Sequence, residues 1–191
     1  MASSAQIYVA DLAAYNAGYL HGSWIALADV EFDPEQVHAA IQQILELSPV
    51  RQLGEIPEEW AIHDYEGFGP IKIEEYASIE KVCELAETLD ALESNGEGVA
   101  FGIFLDKVES LDSFDSLDDA VEAFRDSYRG EQSLEQYAGD YVSDCILPEI
   151  DKSIRQTIET YFDYKSFALD MRYDGYTEAY VGGDYYLFGP R

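Results

Sequence analysis

The sequence predicts an α+β fold made of three small domains, and three observations carry that expectation. Short β-branched and aromatic runs bounded by turn residues stand near both ends of the chain. Between them lie segments with apolar residues at helical spacing, opened by Ser or Asp. The pattern changes near residues 76 and 111, which sets the expected domains at 1–76 (sheet and helix), 77–111 (helical) and 112–191 (helices and a hairpin, with a dimer contact).

Residues 5–10 and 19–27 read as strands, with Asn16 and Gly18 supplying turn chemistry between them. Asp33-Pro34-Glu35-Gln36 reads as a helix start, with Asp33 as N-cap, Pro34 at N1 and Gln36 at N3. That helix should run to Leu47 and bury Val37, Ile41, Ile44 and Leu45. Residues 59–66 return as a third strand. Ser78 caps a second expected helix, whose Ile79, Val82, Leu85, Leu89 and Leu92 face inward while Glu80, Glu84 and Glu87 face water. Asn95-Gly96-Glu97-Gly98 ends it, and 99–108 reads as a short buried helix. Helices are then expected from Ser116, over 133–145 and over 148–161, followed by a hairpin at 176–188 around Gly182-Gly183.

The charge is the feature with functional content. Thirty-nine acidic side chains face eleven basic ones, a net −28 on 191 residues. Solubility of a small domain needs a magnitude of only about 2–8, and self-repulsion at this level opposes compaction. A chain that is 47% hydrophobic and 14% aromatic has enough apolar surface to fold, which excludes disorder. The acids are spread evenly, eighteen in 1–95 and twenty-one in 96–191, so no acidic tail accounts for them. Nucleic acid and acidic membrane are excluded as partners by sign. The charge fits an electropositive partner, a protein that ordinarily grips DNA.

One stretch concentrates the acids: Asp112, Asp115, Asp119, Glu122 and Asp126 recur at three- and four-residue spacing, which on a helix is one face opposite Val121 and Phe124. The bland alternative is a solvated helix face, but Arg125 is the only cation interleaved there. Duplex DNA carries one charge per ~1.7 Å, so the ~16 Å from Asp115 to Asp126 would match nine or ten phosphates. Asp115, Asp118, Asp119, Glu122 and Asp126, less Arg125, fall about twofold short of that density. A charge of −28 equals roughly 48 Å of duplex, against ~40 Å for a compact ball of this length. Presenting DNA-like density therefore calls for an elongated chain, a dimer, or both.

Catalytic and metal motifs are not found. Asp112, Asp115 and Asp118 lack the spacing and the Gly of a calcium loop. His63 beside Asp64 invites a base-and-orienter reading, but neighbours on a strand point to opposite faces, so a structural His63 is favoured. Cys83 and Cys145 have no CxxC partner and read as reduced thiols. No export signal or membrane span is visible, and a cytoplasmic protein without cofactor is expected.

Islands of sequence lie in order along nearly the whole chain: Ile7-Tyr8-Val9-Ala10-Asp11-Leu12-Ala13-Ala14-Tyr15-Asn16, then Gly18, Leu20, Gly22 and Trp24-Ile25. Further on stand Glu58-Glu59-Trp60-Ala61-Ile62-His63-Asp64-Tyr65-Glu66, Glu75-Tyr76-Ala77-Ser78-Ile79, Tyr161-Phe162-Asp163-Tyr164 and Phe167-Ala168-Leu169-Asp170. Together they resemble the ArdA family of antirestriction proteins. The resemblance implies a bent homodimer that occupies the DNA groove of type I restriction-modification enzymes by imitating B-form DNA, so protecting mobile DNA in a new host. It also implies an antirestriction motif near Ser133 to Cys145, close to the dimer contact, although Asp144-Cys145-Ile146 stands where a Gly-containing ending is expected.

The expected function is thus a non-enzymatic DNA mimic. Asp112, Asp115, Asp119, Glu122, Asp126, Glu135, Asp140 and Asp144 would stand in for phosphates, and Tyr137, Tyr141 and Val142 would supply apolar dimer anchors. The rival readings are a hydrolase using His63, or an acidic protein adapted to high salt.

Overall fold

The computed structural model describes residues 5–191. The chain forms two compact units, Met1–Gly102 and Ile103–Arg191, and is mixed α and β, with eight α-helices and two small antiparallel sheets among the described residues.

In the first unit, β1 (Gln6–Asp11), β2 (Gly22–Ala26) and β3 (Trp60–Glu66) form a sheet in the order β2-β1-β3. Ile7 and Val9, two apart on β1, are fully buried, as period-2 alternation requires. Gly22 permits a close approach, since a Cβ there would lie 2.4 Å from the Val9 carbonyl oxygen. Between β1 and β2 the structure has a short helix, α1 (Leu12–Asn16), where turn chemistry alone is expected from the sequence. Its cap is Asp11, whose Oδ1 accepts from the Ala14 N–H at 3.1 Å.

Helix α2 (Pro34–Glu46) begins as its sequence dictates: Asp33 Oδ1 accepts from the Glu35 N–H at 2.9 Å, and Gln36 Nε2 donates to Asp33 Oδ2 at 3.2 Å. Val37, Ile41, Ile44 and Leu45 are buried. In α3 (Ile79–Glu93), Ser78 caps the first turn, the expected stripe is buried, and Cys83 joins it. Burial, followed by the nearby carboxylates of Asp33, Glu80 and Glu87, pushes the Cys83 thiol up to about 11. The boundary between the units falls within α4 (Gly98–Lys107).

The second unit holds α5 (Leu117–Ser127), α6 (Leu134–Tyr141), α7 (Lys152–Tyr161), α8 (Tyr164–Tyr173) and the hairpin β4 (Thr177–Val181) and β5 (Asp184–Phe188). Gly182 and Gly183 both have positive φ, +67° and +107°, the conformation a two-residue hairpin turn needs. Successive residues of β5 face two cores. Phe188 meets Phe104 and Phe124 at ring separations of 5.9 and 6.5 Å, while Leu187 joins Leu134, Ala138, Ala168 and Met171. The segment 127–130 pairs along β5, with Arg129 N–H donating to Leu187 O at 2.8 Å and Gly189 N–H to Ser127 O at 2.7 Å.

The helices of this unit differ from expectation at three points, one being α7, which starts at Lys152 behind its cap Asp151 rather than at Pro148. The helix expected over 133–145 stops at Tyr141 and continues as a π turn, Val142–Ile146, then a 3₁₀ turn at Leu147–Glu149. Helix α8 forms where the sequence pattern suggests no element. Its start is set by Asp163, whose carboxylate accepts from Ser166 N–H at 3.0 Å and Ser166 Oγ at 2.8 Å. Asp151 caps α7 in the same way through Ser153. These hydrogen bonds hold both carboxyls below their ordinary 3.8. The caps therefore contribute fully above that pH and are lost as the pH falls through the folded values.

Candidate functional site: an acidic surface on the second unit

The acidic run is built on two kinds of backbone rather than one. Asp112 sits on a 3₁₀ turn (Leu111–Ser113) and Asp115 precedes the N-cap, so neither shares the α5 face expected for the whole run. The reason is Ser116. Its extended backbone starts α5, its Oγ accepts from the Asp119 N–H at 3.1 Å, and it donates to Asp119 Oδ2 at 2.6 Å. Helical spacing therefore applies only from Leu117 onward. The preceding loop is pinned by Phe114, tilted against Phe104 at 6.3 Å with the Arg191 guanidinium 5.5 Å from its ring centre.

Within α5, Leu117, Ala120, Ala123, Phe124 and Ser127 are buried and Val121 is half-buried, leaving Asp118, Asp119, Glu122, Arg125 and Asp126 exposed. Asp118 and Asp119 lie in the first turn, where the helix dipole favours negative charge. Asp126 lies in the last turn, where it does not. Asp119 and Glu122 are three apart and Glu122 and Asp126 four apart, two like-charge pairs that are each mildly destabilising. Asp119 is offset by its place in the cap, whereas Glu122 and Asp126 gain nothing from the helix terminus.

On α6, Glu135 and Asp140 are exposed, and so is Asp144 on the π turn. Ser133 caps this helix, and Glu178 of β4 supplies a second cap: its Oε2 accepts from the Leu134 N–H at 2.6 Å and its Oε1 pairs with Arg172 at 3.1 Å. Glu178, like Asp119, Asp151 and Asp163, is thus committed to structure. All eight carboxylates named from the sequence are exposed, with Asp118 beside them.

The three apolar residues named for a dimer contact separate. Tyr141 is exposed, Tyr137 is half-buried against Tyr176 at 5.5 Å, and Val142 is fully buried. Val142 continues the buried four-residue spacing of Leu134 and Ala138, so its side chain belongs to the interior of its own unit.

The histidines are each held by a local partner. His63 is the extra residue of a β-bulge, since Tyr8 opposes Asp64 and Val9 opposes Ile62. Its Nε2 lies 3.8 Å from Glu75 Oε1 and its ring meets Tyr15 edge-on at 5.1 Å. Asp64 Oδ1 instead accepts from the Tyr65 N–H at 2.9 Å, so His63 and Asp64 form no dyad. His21 Nε2 contacts the Ile44 carbonyl at 2.7 Å, and His38 lies 3.5 Å from Glu80. The Ser78 hydroxyl, with His38 acting in the same direction, holds the Glu80 carboxyl below its usual range. Among the described residues, no three His, Cys, Asp or Glu side chains converge as metal ligands, and no helix is long and apolar enough to cross a membrane.

The first unit also exposes acids, of which Glu80, Glu84 and Glu87 are expected from the sequence to face water. Glu55, Glu58 and Glu59 line an open recess of about 440 Å³ with Ala13, Asn16, Ala17 and Ile56, and Glu80, Glu84 and Glu87 are exposed on α3. The signal of the other three was the uniform charge itself. Comparison with curated proteins gives no match. The family described as antirestriction protein (ArdA) matches over residues 7–185, nearly the entire chain. The exposed acidic surface and this match lead to one conclusion: the chain belongs to the ArdA family of antirestriction proteins.

Proposed function

We propose that the protein inhibits type I restriction-modification enzymes in the cytoplasm by occupying their DNA-binding groove as a homodimer, with carboxylates in place of phosphates and no catalysis of its own. The observation that carries this reading is the solvent exposure of Asp112, Asp115, Asp119, Glu122, Asp126, Glu135, Asp140 and Asp144 within one short stretch of chain. A basic groove that neutralises phosphates is the partner able to offset their repulsion.

The test is a competition titration on a purified type I methyltransferase core. The protein is expected to displace DNA competitively, and its affinity should fall with rising salt on a shallower slope than that of DNA, because its surface charge is less dense. Non-competitive inhibition would overturn the mechanism. His63→Gln is expected to inhibit as the parent does, since no chemistry passes through that ring. A folded His63→Gln protein without inhibitory activity would instead support the hydrolase reading.

A further inference from the structure

Three separated pieces of the first unit enclose a recess of about 260 Å³: His38 on α2, Trp60 at the start of β3, and the turn that leads from Tyr76 through Ser78 to Glu80 of α3. The His38 and Trp60 rings lie 6.4 Å apart at 71°, so they form a corner rather than a closed stack. Tyr76 stands beside them 71% exposed. Pockets for small molecules usually hold ~300–1,000 Å³, so this volume suits one side chain rather than a metabolite.

Charge selects the occupant. Glu80 Oε2 accepts from the Ser78 hydroxyl at 2.6 Å, and its Oε1 lies 3.5 Å from His38 Nε2. Each oxygen keeps a further lone pair for an incoming donor. The Ser78 hydroxyl also holds this carboxyl below its usual range, so it is ionised at neutral pH. Glu75 first, then burial, and Glu59 more weakly, hold the Tyr76 phenol above its usual range, so that ring stays neutral. Among the described residues, no Lys or Arg lines the recess. Neutral rings beside a carboxylate attract a cation and repel the phosphates of a nucleotide. Of the two basic side chains, the flat guanidinium both lies against aromatic rings and forks onto a carboxylate, whereas an ammonium is a hydrated point charge.

We propose that this recess receives one arginine side chain from the enzyme's DNA-binding groove, its guanidinium lying against Trp60 and Tyr76 and paired with the Glu80 carboxylate. This rests on the groove-occupying reading above. It adds one dominant anchor to a contact otherwise spread over many carboxylates, since Trp, Tyr and Arg carry most of the energy where interfaces concentrate it.

Competition with DNA on the methyltransferase core tests it. Tyr76→Ala and Glu80→Gln, both at exposed positions, should each weaken the protein about tenfold or more with an unchanged thermal melt. Trp60→Phe should keep most of the binding. Glu84→Gln, one turn further along α3, removes the same charge and should cost less than about fivefold. A second measurement needs no enzyme. With both tryptophans fluorinated, acetyl-arginine amide at millimolar concentration should shift the Trp60 fluorine resonance saturably, and Glu80→Gln should abolish the shift. Trp24, edge-on to Tyr8 at 5.6 Å, is the internal reference. A parent that competes with DNA, with Tyr76→Ala and Glu80→Gln binding as it does or no worse than Glu84→Gln, overturns the arginine site and leaves the groove reading standing. A parent that does not compete overturns the groove reading, and the fluorine titration then decides the recess alone: a saturable shift lost in Glu80→Gln upholds the arginine site, and no shift overturns it.

Discussion

Replacing Asp115 and Asp119 with Asn, Glu122 with Gln and Asp126 with Asn in one chain is expected to weaken competition with DNA by about one to two orders of magnitude. The single change Asp119→Asn is expected to weaken it by less than about fivefold. The difference follows from magnitudes: an exposed charge pair is worth ~0–1 kcal/mol, and about 1.4 kcal/mol corresponds to tenfold in affinity. Folding should not suffer, because all four carboxylates are exposed and removing the like-charge pairs Asp119–Glu122 and Glu122–Asp126 relieves repulsion along α5. Asn at 119 still accepts from the Ser116 hydroxyl, so the cap survives. The checks are a competition titration and a thermal melt on the same preparation. Binding unchanged by the fourfold variant, and by a parallel variant at Glu135, Asp140 and Asp144, would remove the second unit from the contact with the enzyme.

Phe104→Ala is expected to cost ~3–5 kcal/mol, the usual result of emptying a large aromatic site. Phe104 is fully buried and its ring meets Phe114, Phe124 and Phe188 at 6.3, 5.9 and 5.9 Å. Three separate pieces of chain converge there: the loop bearing Asp112 and Asp115, helix α5 and strand β5. The cavity would therefore loosen the support of the acidic surface without touching a carboxylate. In urea, at a slope of ~1–3 kcal/mol per molar, the midpoint should fall by more than about 1 M. Inhibition should fall with the folded fraction and recover on cooling or in a stabilising osmolyte. A midpoint lowered by only a few tenths of a molar would mean that the aromatic cluster does not hold this unit together.

Much of the fold was legible in the sequence because the signals are local. Asp33-Pro34, Ser78, Ser116 and Ser133 cap the helices they precede, and Gly182-Gly183 turns the hairpin, since capping and turn geometry depend only on neighbours within a few residues. The chemical character was legible too, because net charge is a sum over residues and needs no coordinates. What local pattern could not supply was which residues share a surface. The three- and four-residue spacing of Asp112 to Asp126 suggests one helical face, but Ser116 starts the helix between Asp115 and Asp119, and periodicity carries no meaning across a cap. Val142 was legible but misplaced: the four-residue spacing of Leu134, Ala138 and Val142 already sets it on an inward stripe rather than on a dimer face. The stripe on α7 is plain in the spacing of Ile154, Ile158 and Tyr161. That the stripe stays largely exposed, with only Ile158 half-buried, is a property of packing, so the sequence determined a charged, well-capped α+β chain and the tertiary structure alone decided which of its faces remain open.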